Sequence, residues 1–102
     1  VAHKYHAEPE YLDGHRFASR KEALRYIQLR ALQRGGHLSG LELQPSYDLH
    51  VGSIRVARYV ADFRYREGER VVVEDVKGVR TPLYRLKKKM VEAEYGFRIR
   101  ET

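Results

Sequence analysis

The chain has 102 residues, with 20 Lys and Arg against 14 Asp and Glu, a formal charge of +6 and no cysteine. That length has room for one modest core, so residues 1–102 read as a single domain, and the missing cysteines exclude a disulfide framework and a thiolate zinc site and agree with a cytoplasmic location. No stretch is apolar for long enough to span a membrane and nothing resembles a signal peptide, while the basic balance favours a polyanionic partner, nucleic acid before an acidic membrane surface.

Residues 1–10, V-A-H-K-Y-H-A-E-P-E, have no periodicity and read as an extended N-terminal arm. His3 and His6 have no further ligands beside them and read as polar tail residues rather than a metal site. Asp13-Gly14, between Tyr11 and Phe17, is a type I′ turn signal and predicts a short hairpin. A helix is expected over Ser19 to Arg34. Ala23, Leu24, Ile27 and Ala31 form its apolar stripe, Tyr26 and Leu32 widen it, and Gly35 stops it. Ser19-Arg20-Lys21-Glu22 has the form of a capping box, which by itself gives Glu22 a complete structural role.

From Leu41 to Leu49 the odd positions are apolar and the even ones polar, apart from Pro45, so a strand with one buried face is expected, with an edge position or a bulge at the proline. Gly52-Ser53 turns the chain. Ile54 and Val56 begin a strand in one phase and Tyr59 to Tyr65 continue it in the other, which implies a bulge or bend near Ala57-Arg58. Gly68-Glu69 fits a type II′ loop to a β-branched strand over Val71 to Val76. That register sets Glu67 against Arg70, Tyr65 against Val72 and Asp62 against Asp75, with Lys77 on the face of Asp75. Two opposed carboxylates repel. A divalent cation would compensate them and the lysine suits phosphate; equally, both acids read as solvated charges on a half-exposed sheet.

Pro82 suits the first turn of a second helix, which Gly96 ends, with Leu83, Leu86, Met90 and Ala93 as its apolar stripe and Tyr84 and Val91 at the margins. Arg85, Lys87, Lys88 and Lys89 crowd the rest of that helix, as a solvated face or as a contact to phosphate backbone. Phe97 to Arg100 alternates as a last strand, which the helix can cross over to place beside the sheet. The expected architecture is α/β: helix, three strands, helix, strand. No base-reading motif is present.

This order of elements resembles the core of the PD-(D/E)xK nuclease superfamily, with its restriction-endonuclease-like αβββαβ fold, a mixed central sheet flanked by helices. The pieces that carry the resemblance are K-Y-x-A at Lys4 to Ala7, D-G-x-x-F-x-S-x-x-E-A at Asp13 to Ala23, L-Q-P at Leu43 to Pro45, A-D-F at Ala61 to Phe63 and E-D-V-K-G at Glu74 to Gly78. They are most similar to small phage-encoded members. The resemblance implies Glu22 as the helix carboxylate, Asp62 as the central metal ligand, Asp75 as the acid of (D/E)-x-K and Lys77 as its lysine, with Glu22, Asp62 and Asp75 holding metal. No proline precedes Asp62. Glu74 adjoins Asp75, but residues two apart in a strand share a face, so Asp75 goes with Lys77.

The resemblance further implies a Mg²⁺-dependent endodeoxyribonuclease, phage- or prophage-encoded and acting in the bacterial cytoplasm, most similar to Holliday junction resolvases, with Mn²⁺ expected to substitute. Hard carboxylate oxygens suit that ion, and Lys77 would stabilise the phosphoryl charge. Gln44 is either a plain polar strand residue or a group that supports the metal ligands or touches phosphate. Arg85, Lys87, Lys88 and Lys89 are the expected DNA contacts. Alternatives are a less structure-selective nuclease, a nuclease subunit of a transposition or packaging assembly, and a non-enzymatic nucleic-acid-binding module. Symmetric cutting of a junction calls for two sites, so a homodimer is expected. Eight tyrosines and three phenylalanines would supply interface material, with Tyr5 and Tyr11 on the arm.

Overall fold

The computed structural model describes residues 8–102. Lys4 to Ala7, His3, His6 and Tyr5 therefore lie outside the described residues. Glu10–Leu12 (β1) and His15–Phe17 (β2) pair antiparallel across Asp13-Gly14, whose φ values of 51° and 78° are the positive pair a type I′ turn requires. The expected arm thus gives up Glu10 to a strand.

Helix α1 spans Arg20–Arg34, and the Ser19 hydroxyl accepts the Glu22 N–H at 3.2 Å. Only half of the expected capping box forms, because the Glu22 side chain is drawn inward toward Asp62. The expected stripe is also misphased. Glu22, Ala23, Tyr26 and Leu29 are buried, while Leu24 and Ile27 stay about half exposed. The cause is polar: Arg25 reaches across to the Glu74 carboxylate at 2.6 and 2.9 Å, and this contact with the inward-turned Glu22 fixes the rotation of the helix.

The strand expected over Leu41 to Leu49 is two strands, Ser39–Leu43 (β3) and Ser46–Val51 (β4), broken at Gln44-Pro45. Its partner breaks opposite, into Ile54–Val60 (β5) and Phe63–Glu67 (β6), at Ala61-Asp62. Gln44 N–H donates to the Asp62 carbonyl at 2.9 Å and Ala61 N–H to the Pro45 carbonyl at 3.0 Å, so the pair stays joined across the bend. A separate bulge leaves Val56 unpaired, because Leu49 faces Ala57 while His50 faces Arg55. Strand Arg70–Asp75 (β7) pairs with β6 in the expected register, Glu67 against Arg70 and Tyr65 against Val72, and Gly68 has φ 62°.

Thr81 caps helix α2, Pro82–Tyr95, which ends at Gly96 with φ 79°, and crosses over to Ile99–Glu101 (β8). This last strand lies parallel to β7, giving a mixed four-stranded sheet in the order β3-β6-β7-β8, beside the hairpins β1-β2 and β4-β5. The α2 stripe is misphased too. Leu83 and Leu86 are more than half exposed, and Val91 is the buried side chain. Polar anchors again set the rotation: the Tyr84 hydroxyl donates to Glu101 at 2.6 Å, and Ile99 N–H donates to Glu92 at 2.8 Å.

The sheet separates two cores. One packs Phe17, Ala23, Tyr26 and Leu29 on Phe63, Tyr65 and Val72; the other packs Tyr47, Leu49, Tyr59 and Val91 on Val73 and Ile99. Two thin cores absorb Tyr26, Tyr47, Tyr59 and Tyr65, so most of the described tyrosines are core residues, not spare interface material; Tyr11 stays exposed. Among the described residues no helix is long and apolar enough to cross a membrane.

Candidate functional site

The bend that splits both long strands also shapes the site. Asp62 stands at the break between β5 and β6, released from regular strand alternation, and faces the end of β7. Its N–H donates both to the Glu74 carbonyl and to Asp75 Oδ1, each at 3.1 Å, while its own Oδ2 accepts the Val76 N–H at 2.7 Å. The two carboxylates are thus laced together through backbone N–H groups, as the register expects. Neither reads as a solvated charge, because Asp75 is fully buried and Asp62 is half-buried.

Beyond β7, Lys77 is held from several sides. Its N–H donates to the Thr102 carbonyl at 3.1 Å, its carbonyl accepts Lys21 Nζ at 3.1 Å, and its Nζ lies 3.8 Å from Asp75 Oδ1. The same Nζ sits 4.4 Å from the centroid of the Tyr84 ring, a cation–π contact. Glu22 enters from the first turn of α1, close enough to share a hydrogen bond with Asp62. Three segments, the first turn of α1, the β5–β6 break and the end of β7 with the residues just after it, therefore bring Glu22, Asp62, Asp75 and Lys77 together.

Burial pushes Glu22 up to about 7, helped by the Asp62 charge and by the hydrogen bond that leaves the proton on Glu22, and opposed by Lys77. Burial likewise raises Asp75 to about 6, against Lys77 and the Asp62 N–H. Asp62 is raised by burial as well, offset by the Val76 N–H, Lys77 and Glu22. Three carboxyl groups around one ammonium are short of positive charge. Asp75 Oδ2 is buried without a hydrogen-bond partner, as is the Tyr59 hydroxyl. Among the described residues no group of three or more His, Asp or Glu stands ready-made as a metal cage.

Glu74, the neighbouring acid, is spent differently. Arg25, the Tyr65 hydroxyl at 2.5 Å and the Thr102 hydroxyl at 3.0 Å engage both its oxygens. These contacts, foremost Arg25, hold its carboxyl below the usual range despite burial. It is a structural anchor on the α1 face of the sheet.

Gln44 is not the regular strand residue expected: it occupies the bend with φ 52°, a left-handed conformation that costs a non-glycine residue of order 1 kcal/mol or more. With Glu22, Asp62, His15 and Arg16 it lines a cavity of about 60 Å³. The basic run of α2 does not form one face. Lys87 turns into a groove with Lys77, Lys88 pairs with Glu92 at 3.6 Å, and Arg85 and Lys89 point to solvent. Steps of 100° per residue make this unavoidable for consecutive residues on a helix.

Sequence reasoning missed Arg16, Arg58, Thr81 and Tyr84. Tyr84 carried a legible signal, a tyrosine at the margin of the α2 stripe in the helix's first turn, soon after Lys77. Arg58 and Arg16 carried none, since a bulge and a two-residue turn decide where they point.

The model of the family described as protein of unknown function (DUF1064) matches residues 2–100, and the chain belongs to that family. No curated protein and no solved structure matches it.

Proposed function

For this member of the family we propose a metal-dependent DNA endonuclease of the PD-(D/E)xK type, working as a homodimer on branched DNA in the manner of a Holliday junction resolvase. One observation carries the reading: Glu22 from α1, Asp62 from the β5–β6 break, and Asp75 and Lys77 from the end of β7 and just beyond it converge on one desolvated spot short of positive charge. The mixed sheet with α1 on one face, α2 on the other and a parallel last strand is compatible with the αβββαβ core that the motifs resemble.

The donor set fits a hard divalent cation, because every candidate ligand is a carboxylate oxygen and Asp75 Oδ2 has no other partner. Asp62, Asp75 and Glu22 would hold Mg²⁺ or Mn²⁺. Bound there, the ion would lower the pKa of a water and offset charge on the phosphoryl group. The chain's own residues do the rest. Lys77, steadied by Tyr84, places an ammonium against a non-bridging phosphoryl oxygen and stabilises the charge that grows there. Glu22, on the rigid first turn of α1, orients the attacking water. Arg16 and Gln44 wall the opposite side of the acids and can touch the strand as it leaves.

Cleavage of labelled four-way junction, flap, nicked and linear DNA in Mg²⁺, Mn²⁺ or EDTA tests this reading. Asp62→Asn, Asp75→Asn and Lys77→Ala are each expected to lose cleavage by orders of magnitude, the two asparagine variants while binding DNA within a few fold of the parent. All three remove transition-state stabilisation, and the asparagine variants leave the basic surface in place. Full activity in Asp75→Asn would sink the assignment, and binding by the parent without cleavage under any metal would favour a non-enzymatic module.

A further inference from the structure

Between β5 and the start of α2 runs a groove of about 320 Å³ lined by Arg58, Tyr59, Lys77, Thr81 and Lys87, among others. No carboxylate lines it. Thr81 Oγ1 already accepts the Tyr84 N–H at 3.1 Å, so its hydroxyl hydrogen is left to donate. Lys87 makes no ion pair among the described residues. Arg58 has a single one, a 3.5 Å contact to Asp48, and Asp48 is held more closely by Arg55 at 2.9 Å. Val60 and Leu83, both at least half exposed, give the groove an apolar side against which a sugar can lie.

Lys77 belongs to this groove and to the acid cluster at once, since its Nζ is 3.8 Å from Asp75. A strand whose reacting phosphate meets Lys77 therefore has one continuous donor-lined path away from the acids. We propose that this groove is the seat of the DNA backbone next to the cleaved bond, with Arg58, Lys87 and Thr81 holding its phosphates; this rests on the nuclease reading above. The path runs along the inner side of α2, and the solvent-facing Arg85 and Lys89 are not part of it.

The test is a fluorescence anisotropy titration of a labelled four-way junction and a labelled single strand with the full chain in EDTA, between roughly 50 and 200 mM salt. Arg58→Ala and Lys87→Ala should each weaken binding about tenfold and lower the salt slope by about one, as loss of a phosphate contact does. Arg58→Lys and Lys87→Arg keep the charge and should restore most of the affinity, which separates lost contact from lost fold. Arg34→Ala, at the far end of α1, should change nothing. If the parent binds and cleaves DNA but both alanine variants match it in affinity and slope, the groove assignment falls and the nuclease reading stands. Larger losses in Arg85→Ala and Lys89→Ala than in the groove variants would likewise move the path to the outer face. If the groove variants lose affinity but the parent never cleaves, the groove stands and the nuclease reading falls. A parent that binds neither DNA overturns both.

Discussion

Removing the Glu22 carboxyl should make the protein more stable at alkaline pH, although the residue stands at a helix N-terminus where a carboxylate ordinarily helps. In the folded chain its pKa is raised from 4.5 to about 7, by burial first and Asp62 second. Between those values the folded state keeps a proton that the unfolded chain has released, so stability falls as pH rises through this window and levels off above it. Each pH unit of displacement is worth about 1.4 kcal/mol, and allowing for solvent screening at this partly open site reduces the total to about 1–2 kcal/mol. For a chain of this size that is a change of about 5–10 °C in Tm. Melting curves of the parent and Glu22→Gln in EDTA at pH 5 and pH 8 measure it. The two should agree closely at pH 5, and the variant should melt higher at pH 8. Ionisable groups remote from Glu22 are common to both proteins and cancel in the difference. Carboxylates held low by partners, such as Glu74 and Glu101, lose their contribution only below this window. Added Mg²⁺ at pH 8 should raise the Tm of the parent more than that of the variant. Parallel pH dependence in the two proteins, or a lower melting point for Glu22→Gln at pH 8, would refute the crowding of carboxyl groups inferred here.

Arg25→Ala leaves the buried Glu74 carboxylate without its cation and should cost about 3 kcal/mol in urea unfolding; a loss under about 1 kcal/mol would mean that Tyr65 and Thr102 alone suffice. Glu74→Gln should likewise lower stability yet keep cleavage, and loss of cleavage with normal stability would place Glu74 instead of Asp75 in the site. Light scattering of the protein bound to a four-way junction should give a mass that exceeds that of the free junction by twice the 12.0 kDa chain mass. A single chain per junction would remove the resolvase reading.

How much of the molecule was legible beforehand follows the range of the forces involved. Turns and helix ends are settled within a few residues. Asp13-Gly14 demands positive φ twice, Ser19 and Thr81 cap their helices, Gly96 ends α2 in the left-handed region, and Gly68-Glu69 sets the register that puts Asp62 opposite Asp75. Lys77 follows from the same alternation. For these features local sterics and hydrogen bonding suffice, and the sequence determined them alone. The rotation of both helices was beyond its reach. Apolar periodicity placed Leu24, Ile27, Leu83 and Leu86 inside, but Arg25 finds Glu74 49 residues away and Tyr84 finds Glu101 17 residues away, and those buried polar contacts outweigh a modest stripe. The bend at Gln44 and Asp62 was equally hidden, since it needs two strands to break at the same level. Tertiary structure therefore decided which carboxyl groups share one desolvated spot and which cations line the way to it, because burial and charge act through space between segments that the chain keeps far apart.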